Sequence, residues 1–315
     1  MFDAMLDDAV RAVAELAASQ HRAFTRRQAA ELNFDRGRVA AAKRHGWLVE
    51  PHPGVLVVTG SSPTWLERVM VATLAAHPHA VASHRSAARL HGLDGFGSCD
   101  VVEISVRRGR RRPNPACAMT HQVAALDCCD LVTVDGIRCT GLARTVADLG
   151  SVCDPMAVRR ALTDLRRRRT SLRWLQLTAE RLHRPGQRGT SVLLRQLASI
   201  PLEGKVPDSW FEELLACCIN DPALSPVVPQ YAIRNPAGRI IARTDIGIPS
   251  VRLGLEAHSR QFHFGPQLEP LDEQRDIRAA ACGWELLYLG WYATFRPSEV
   301  LMMVKEVAAA RRAAK

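Results

Sequence analysis

Apolar positions near the start of the chain recur at helical spacing, and capping residues punctuate them at short intervals. The opening stretch MFDAMLDDAVRAVAELAASQ reads as an acidic helical segment. Within Phe24 to Leu32, Thr25 followed three residues later by Gln28 forms the capping-box pattern and predicts a helix start. Asn33 and Phe34 make a short turn, and Asp35 caps a second helix, Asp35 to His45, that Gly46 stops in the left-handed region. Trp47-Leu48-Val49 and Gly54 to Val58 then alternate around a His52-Pro53-Gly54 turn, as a hairpin does. Helix, turn, helix and hairpin in this order predict a winged helix-turn-helix over residues 1–60.

Residues 61–204 change pattern. Helix signals lie at Trp65 to Ala76 and Ser83 to His91, and a strand-like Val101 to Val106 leads into the basic run Arg107 to Pro113. The alternation predicts a small sheet covered by helices, a middle α+β domain. After the Pro- and Gly-containing stretch Ile200 to Asp208, residues 205–315 read helix (Ser209 to Ile219), strand (Val228 to Arg234) and strand (Arg239 to Ile246), the two strands joined by an NPAG turn. A strand (Arg252 to His258), a helix (Leu271 to Cys282), a strand (Glu285 to Gly290) and a closing helix from Pro297 or Ser298 complete an α/β unit of ordinary domain size. The fold class expected is α/β, or α+β taken over the whole chain.

Composition adds exclusions. With 315 residues, 47% apolar and 23% charged, the chain is neither bulk-disordered nor fibrous. No apolar run reaches membrane-spanning length and the N-terminus lacks a signal-peptide layout, which predicts a soluble cytoplasmic product without a membrane partner. The nine cysteines contain no CxxC pair, so neither a disulfide framework nor a structural zinc site is legible. They are expected to act as small buried hydrophobes in a reducing compartment.

Charge is unevenly distributed. Residues 1–204 hold 29 basic and 19 acidic residues, whereas 205–315 hold 13 of each. The front is therefore the candidate nucleic-acid binder. Between Arg22 and Gly46 seven basic residues face two acidic ones: Arg26 and Arg27 fall on the first helix, and Arg36, Arg38, Lys43 and Arg44 on the second. Double-stranded DNA is the expected partner, with the second helix in the major groove, Arg36 and Arg38 at base edges, and Lys43 and Arg44 at phosphates. A merely solvated helix face is the alternative. The same two readings apply to the arginine runs at 107–112 and 166–169, while His84 and His91 read as caps or packing groups. Arg144 and Asp148 stand at ion-pair spacing on a helix, and Trp284, Leu286, Leu287 and Trp291 read as core.

The neutral rear must be judged on individual carboxylates. Asp245 ends one strand of a hairpin; on the return strand, period-two geometry puts Glu256 and His258 on one face and Leu255 and Ala257 on the other. Glu212 or Glu213 on the preceding helix can close the cluster. Converging carboxylates repel unless a hard cation joins them, so Mg2+ or Mn2+ held by Asp245 and Glu256 is the implied cofactor, and phosphodiester hydrolysis the implied reaction.

Two resemblances bear on this. Arg243 to Pro249 (RTDIGIP), Leu255 to His263 (LEAHSRQFH) and Asp272 to Trp284 (DEQRDIRAAACGW) resemble the C-terminal domain of bacterial proteins related to very-short-patch-repair endonucleases, of the PD-(D/E)XK fold. By position, Asp245 and Glu256 match the metal-binding carboxylates, Glu212 the glutamate of the opening helix, and His263 the histidine of the pattern E-x-D-G-x-x-Y-H. The second acid of that pattern is His258 here, its Gly is Ser259 and its Tyr is Phe262. The catalytic candidates implied are Glu212, Asp245, Glu256, His258 and His263.

The front resembles the AbiEi-type antitoxins, through Phe24 to Thr59, Ser83 to Leu93 (SHRSAARLHGL) and Val134 to Leu149 (VDGIRCTGLARTVADL). That resemblance implies a winged helix that binds operator DNA and a following domain that neutralises a nucleotidyltransferase-like toxin. The function expected is thus a DNA-binding transcriptional regulator of antitoxin type with a nuclease-like, possibly degenerate, rear domain. The alternatives are a divalent-metal-dependent DNA endonuclease recruited by its winged helix, and a protein-interaction module without catalysis.

Overall fold

The computed structural model describes residues 2–76, 80–109, 118–185, 188–200, 208–258, 269–290, 293 and 296–313. They form two compact units, one of residues 1–126 with 130–204 and the other of 127–129 with 205–315. No helix among the described residues is long and apolar enough to cross a membrane.

The first unit opens with α1 (Phe2–Ser19), β1 (Ala23–Thr25), α2 (Arg26–Glu31), α3 (Arg36–Arg44), β2 (Leu48–His52) and β3 (Val55–Val58). Thr25 and Gln28 complete the capping box, and the Asp35 side chain accepts from Arg38 N at 2.9 Å. Gly46 and Gly54 hold φ of +73° and +83°, a region closed to most side chains, where α3 ends and the hairpin turns. The three strands pair antiparallel in the order β1-β3-β2. Beneath them Phe24, Leu56, Val39, Phe34 and Val13 form one buried cluster.

This sheet does not close the front of the chain off. Ala23, Val55 and Val57 point into a second cluster with Trp65 and Val69 of α4 (Trp65–Ala75), and Arg22 pairs with Glu67 of the same helix. The stretches expected as separate domains, 1–60 and 61–204, therefore share a core and fall in one unit. The rest of the unit comprises β4 (Val81–Ala82), α5 (His84–Leu90), β5 (Glu103–Arg107), β6 (Met119–Val123), β7 (Leu131–Val134), β8 (Ile137–Thr140) and α6 (Leu142–Leu149). A mixed sheet runs β6-β5-β4-β8-β7.

Three helices follow that the sequence pattern left unassigned: α7 (Pro155–Arg167), α8 (Leu172–Leu182) and α9 (Arg188–Leu197). Asp154 and Ser171 cap the first two, and Leu162, Leu165, Leu175 and Leu193 pack with Val146 of α6. The run Arg166 to Arg169 sits at the end of α7, where Arg168 pairs with Asp164 and donates to the carbonyls of His91 and Gly92. Of the other run, Arg107 and Arg108 are exposed and positions 110–112 lie outside the described residues.

The second unit contains α10 (Asp208–Cys218), β9 (Val228–Arg234), β10 (Ile240–Ile248), β11 (Leu253–His258), α11 (Glu269–Ala281), β12 (Glu285–Gly290) and α12 (Pro297–Ala313). Strands β9, β10 and β11 form an antiparallel meander; α11 crosses over so that β12 lies parallel to β11. One sheet face carries Ile246, Ile248, Leu253 and Leu255 against Leu215 of α10 and Val304 of α12. The other carries Ile233, Ala242 and Trp284 against Ala279 of α11, with Tyr231 stacked 5.0 Å from Trp284. Trp284 is core as expected; Leu286 and Leu287 are half-buried, and Trp291 lies outside the described residues.

One cysteine expectation is corrected. Cys128 and Cys217 form a disulfide across a sequence separation of 89 residues. Neither partner lies in a spacing motif, because the fold, not the local sequence, brings them together. Cys129, Cys139 and Cys218 are buried, as small hydrophobes would be.

Candidate functional sites

On α3, Val39 and Ala42 face the core, whereas Arg36, Ala40, Lys43 and Arg44 are exposed. Their spacing of four, three and one residues places them on one outward stripe, with only a methyl group between the cations at its two ends. Arg36 and Arg44 have no hydrogen-bond or ion-pair partner among the described residues. Arg38 lies off the stripe, half-buried, and donates to Asn33 O at 2.7 Å.

The remaining cations of this face are already engaged. Glu50 of β2 accepts from Arg26 Nε at 2.8 Å and Nη2 at 2.6 Å, and from Lys43 Nζ at 2.6 Å, while the Gly54 amide donates at 3.0 Å. Hydrogen bonds from Arg26 and then Lys43 hold its carboxyl well below the usual glutamate range. Arg27 lies 3.6 Å from Glu31 on an exposed helical turn.

In the second unit Glu212 and Asp245 are drawn together through Gln230, whose Nε2 donates to Glu212 Oε2 at 2.7 Å and to Asp245 Oδ1 at 3.3 Å. Asp245 Oδ2 also accepts from Ala257 N at 2.8 Å. Asp245 and Glu256 each lie one residue beyond the Ile246–Leu255 register pair, so they share the face opposite those core residues. Glu256 is buried at 9% exposure, its Oε1 without a hydrogen-bond partner and 3.6 Å from Arg275 Nη1 of α11. Burial pushes its carboxyl up to about 7; Arg275 opposes the shift, and Asp245 and Asp276 reinforce it. Arg275 and Asp276 in turn bond the Tyr288 hydroxyl, at 2.8 and 2.5 Å.

These carboxylates approach one another without composing a metal site: no group of three His, Cys, Asp or Glu side chains among the described residues is placed to hold a metal ion. A glutamine amide stands between two of them and a guanidinium beside the third. The described donors therefore do not fit the Mg2+ or Mn2+ the sequence implied, and no step is derived through either. His258 belongs to β11, while His263 lies outside the described residues. Gln230 and Arg275 were not foreseen; the one sequence signal for Gln230 is an amide side chain at the start of an otherwise apolar strand.

The first unit holds a further polar cluster. Glu103, fully buried, accepts from Arg85 Nε and Nη2, both at 3.0 Å, and from His121 Nε2 at 3.1 Å. Burial pushes the Glu103 carboxyl up, but the hydrogen bonds from His121 and Arg85 outweigh it and bring it to about 2. The His121 ring stacks on that of His84, centroids 3.8 Å apart. Nearby, Arg144 donates from Nε to Asp148 Oδ2 at 2.9 Å, the expected pair, and Asp130 is shared by Arg144 and Arg181. His91 is a packing group bonded to Thr140 O, at 2.8 Å.

Residues 11–59 match a protein family described as "Transcriptional regulator, AbiEi antitoxin". No curated protein matches the chain. The front of the chain is thus similar to antitoxin-type transcriptional regulators, over the segment that runs from α1 through the β2–β3 hairpin.

Proposed function

We propose that this chain is a DNA-binding transcriptional regulator of antitoxin type, with α3 as the helix that enters the major groove. The exposed stripe of Arg36, Ala40 and Arg44, set within a helix–turn–helix and hairpin, is the observation that carries this reading. Arginine forks reach guanine edges or phosphates in two directions, and the small Ala40 lets the helix approach the groove floor. Arg26 and Lys43 would join at phosphates only on leaving Glu50. The family match supports the regulator class and the antitoxin role, and a nucleotidyltransferase-like toxin is the proposed protein partner.

Replacing Arg36 and Arg44 together by Ala is expected to abolish the mobility shift of the protein's own promoter fragment; an unchanged shift would remove α3 from the interface. Because the front of the chain folds around Val39 and Ala42, not these exposed arginines, the double variant should keep its melting temperature.

For the second unit we propose a restriction-endonuclease-like scaffold that does not cleave. Helix, antiparallel meander, crossover helix and parallel strand support the scaffold. The Gln230 bridge and the Arg275–Glu256 pair support the loss of cleavage. Supercoiled plasmid incubated with the protein and Mg2+ or Mn2+ should stay intact; nicking that disappears in Glu256→Gln would establish the endonuclease reading instead.

A further inference from the structure

Beside the His84–His121 stack the first unit has a half-open cavity of about 260 Å³, lined among others by His84, His121, Arg144, Asp148, Arg184 and Thr190. None of these residues belongs to the DNA-facing stripe or to the carboxylates of the second unit.

His84 is held there by unusual means. It is 4% exposed and sits at φ +51°, a left-handed conformation rare for a residue with a side chain and most often retained where surrounding structure demands it. Ser105 Oγ donates to Ser83 Oγ at 2.8 Å, which frees the Ser83 proton for His84 Nδ1, 2.9 Å away. With the Ser83 proton on Nδ1, Nε2 carries the ring proton and is a donor. It has no partner among the described residues. Burial holds the His84 imidazolium down to about 4, so the ring is a neutral donor over the physiological range.

Arg144 repeats the pattern. It is 4% exposed, and Nε is used by Asp148 and Nη1 by Ala125 O at 3.0 Å, whereas Nη2 has no hydrogen-bond partner among the described residues. At the cavity edge Arg184 spends Nη1 on the carbonyls of Arg181 and His183, and its other donors meet no partner among the described residues. Neither His84 Nε2 nor Arg144 Nη2 is sealed from solvent, so both open on the cavity, and with a third cation at its edge they offer several donors to an acceptor-rich guest.

We propose that this cavity binds the oxyanion group, carboxylate or phosphate, of a small ligand, with His84 Nε2 and the Arg144 guanidinium as its buried donors and Arg184 as its outer clamp. The volume suits one such group with a short attachment and is small for a drug-sized molecule. Among the charged side chains that line the cavity, Arg144 and Arg184 outnumber Asp148.

The test is calorimetric titration of the full chain with sodium phosphate and, separately, sodium acetate, with ionic strength held constant by chloride. One of the two is expected to bind saturably at a single site, and the better one identifies the class of headgroup. His84→Asn, which tolerates the positive φ but withdraws the donor, and Arg184→Met, at an exposed position that threatens no core, should each weaken that binding at least about tenfold. The Arg184 variant keeps the test open if the His84 variant folds poorly. Absence of saturable binding by either anion, or binding unchanged in Arg184→Met and in a folded His84→Asn, would overturn the proposal.

Discussion

Both units bury carboxylates, but they treat them differently. In the first, Glu103 is met by Arg85 and His121, and Asp130 by Arg144 and Arg181, so each of these two acids faces two partners. Glu103 stays ionised, with its carboxyl brought to about 2. In the second, Glu256 faces the Arg275 guanidinium 3.6 Å away and a hydrogen bond from Thr244, but burial, with repulsion from Asp245 and Asp276, outweighs them and its carboxyl rises to about 7. A buried charge met by two partners acts as a structural clamp, whereas an under-compensated one stores unfavourable free energy at one place. The contrast locates the clamps in the front cluster and the perturbed carboxyl in the rear one.

The sharpest way to break the comparison is to remove a clamp. Asp130→Ala removes a carboxylate shared by two buried guanidiniums, and urea denaturation should show the first unit destabilised by about 3–5 kcal/mol, the usual cost of breaking a buried pair. A loss below about 1 kcal/mol would mean that the network is not a clamp.

The next test uses pH, because the units should respond in opposite directions. Glu256 has its carboxyl raised from 4.5 to about 7, so its contribution to stability is complete below pH 4.5 and is lost as pH rises through 7. The loss is at most about 3 kcal/mol, and Glu256→Gln should flatten it and raise the melting temperature of the second unit at pH 8. His84 has its imidazolium lowered from 6.5 to about 4, so its contribution is present above pH 6.5 and is lost as pH falls through 4. The first unit should thus weaken on acidification by a comparable amount, and His84→Asn should remove that slope. Melting curves from pH 4 to 8 in which both units move the same way, with neither slope affected by its variant, would dissolve the contrast.

The smallest effect concerns the wing. Glu50→Gln releases Arg26 and Lys43, both partly exposed, at a stability cost of about 1 kcal/mol or less. It should strengthen binding to any duplex and steepen the dependence of log affinity on log salt by as much as about 2, one for each freed cation.

How much of this could be read from the chain follows from distance along it. Thr25 with Gln28, and Asp35 with Arg38, act within one turn, and their caps were legible because the partners are neighbours. Strands β9 and β12 were legible end to end, bounded by turn residues and carrying their apolar side chains in short runs. Asp154-Pro155 and Ser171 are equally local caps, yet the arginines that crowd α7 and α8 masked the apolar period.

What was not legible is long-range. Glu50 meets Arg26 across 24 residues, Glu103 meets His121 across 18, and Cys128 meets Cys217 across 89. Each pairing depends on how separate helices, strands and turns are assembled, which no local spacing encodes. Gln230 illustrates the same limit: its place between Glu212 and Asp245 exists only once β9, β10 and α10 are assembled.

If the chain is the DNA-binding regulator proposed above, the Glu50 clamp also bears on how it searches a genome. By occupying Arg26 and Lys43, the β2–β3 hairpin would carry a built-in rival to the phosphate backbone, and every duplex, right or wrong, would have to evict it before gaining those two contacts. The penalty is the same for all sequences, so it thins background occupancy. Discrimination at Arg36 and Arg44, which no acid restrains, is left untouched.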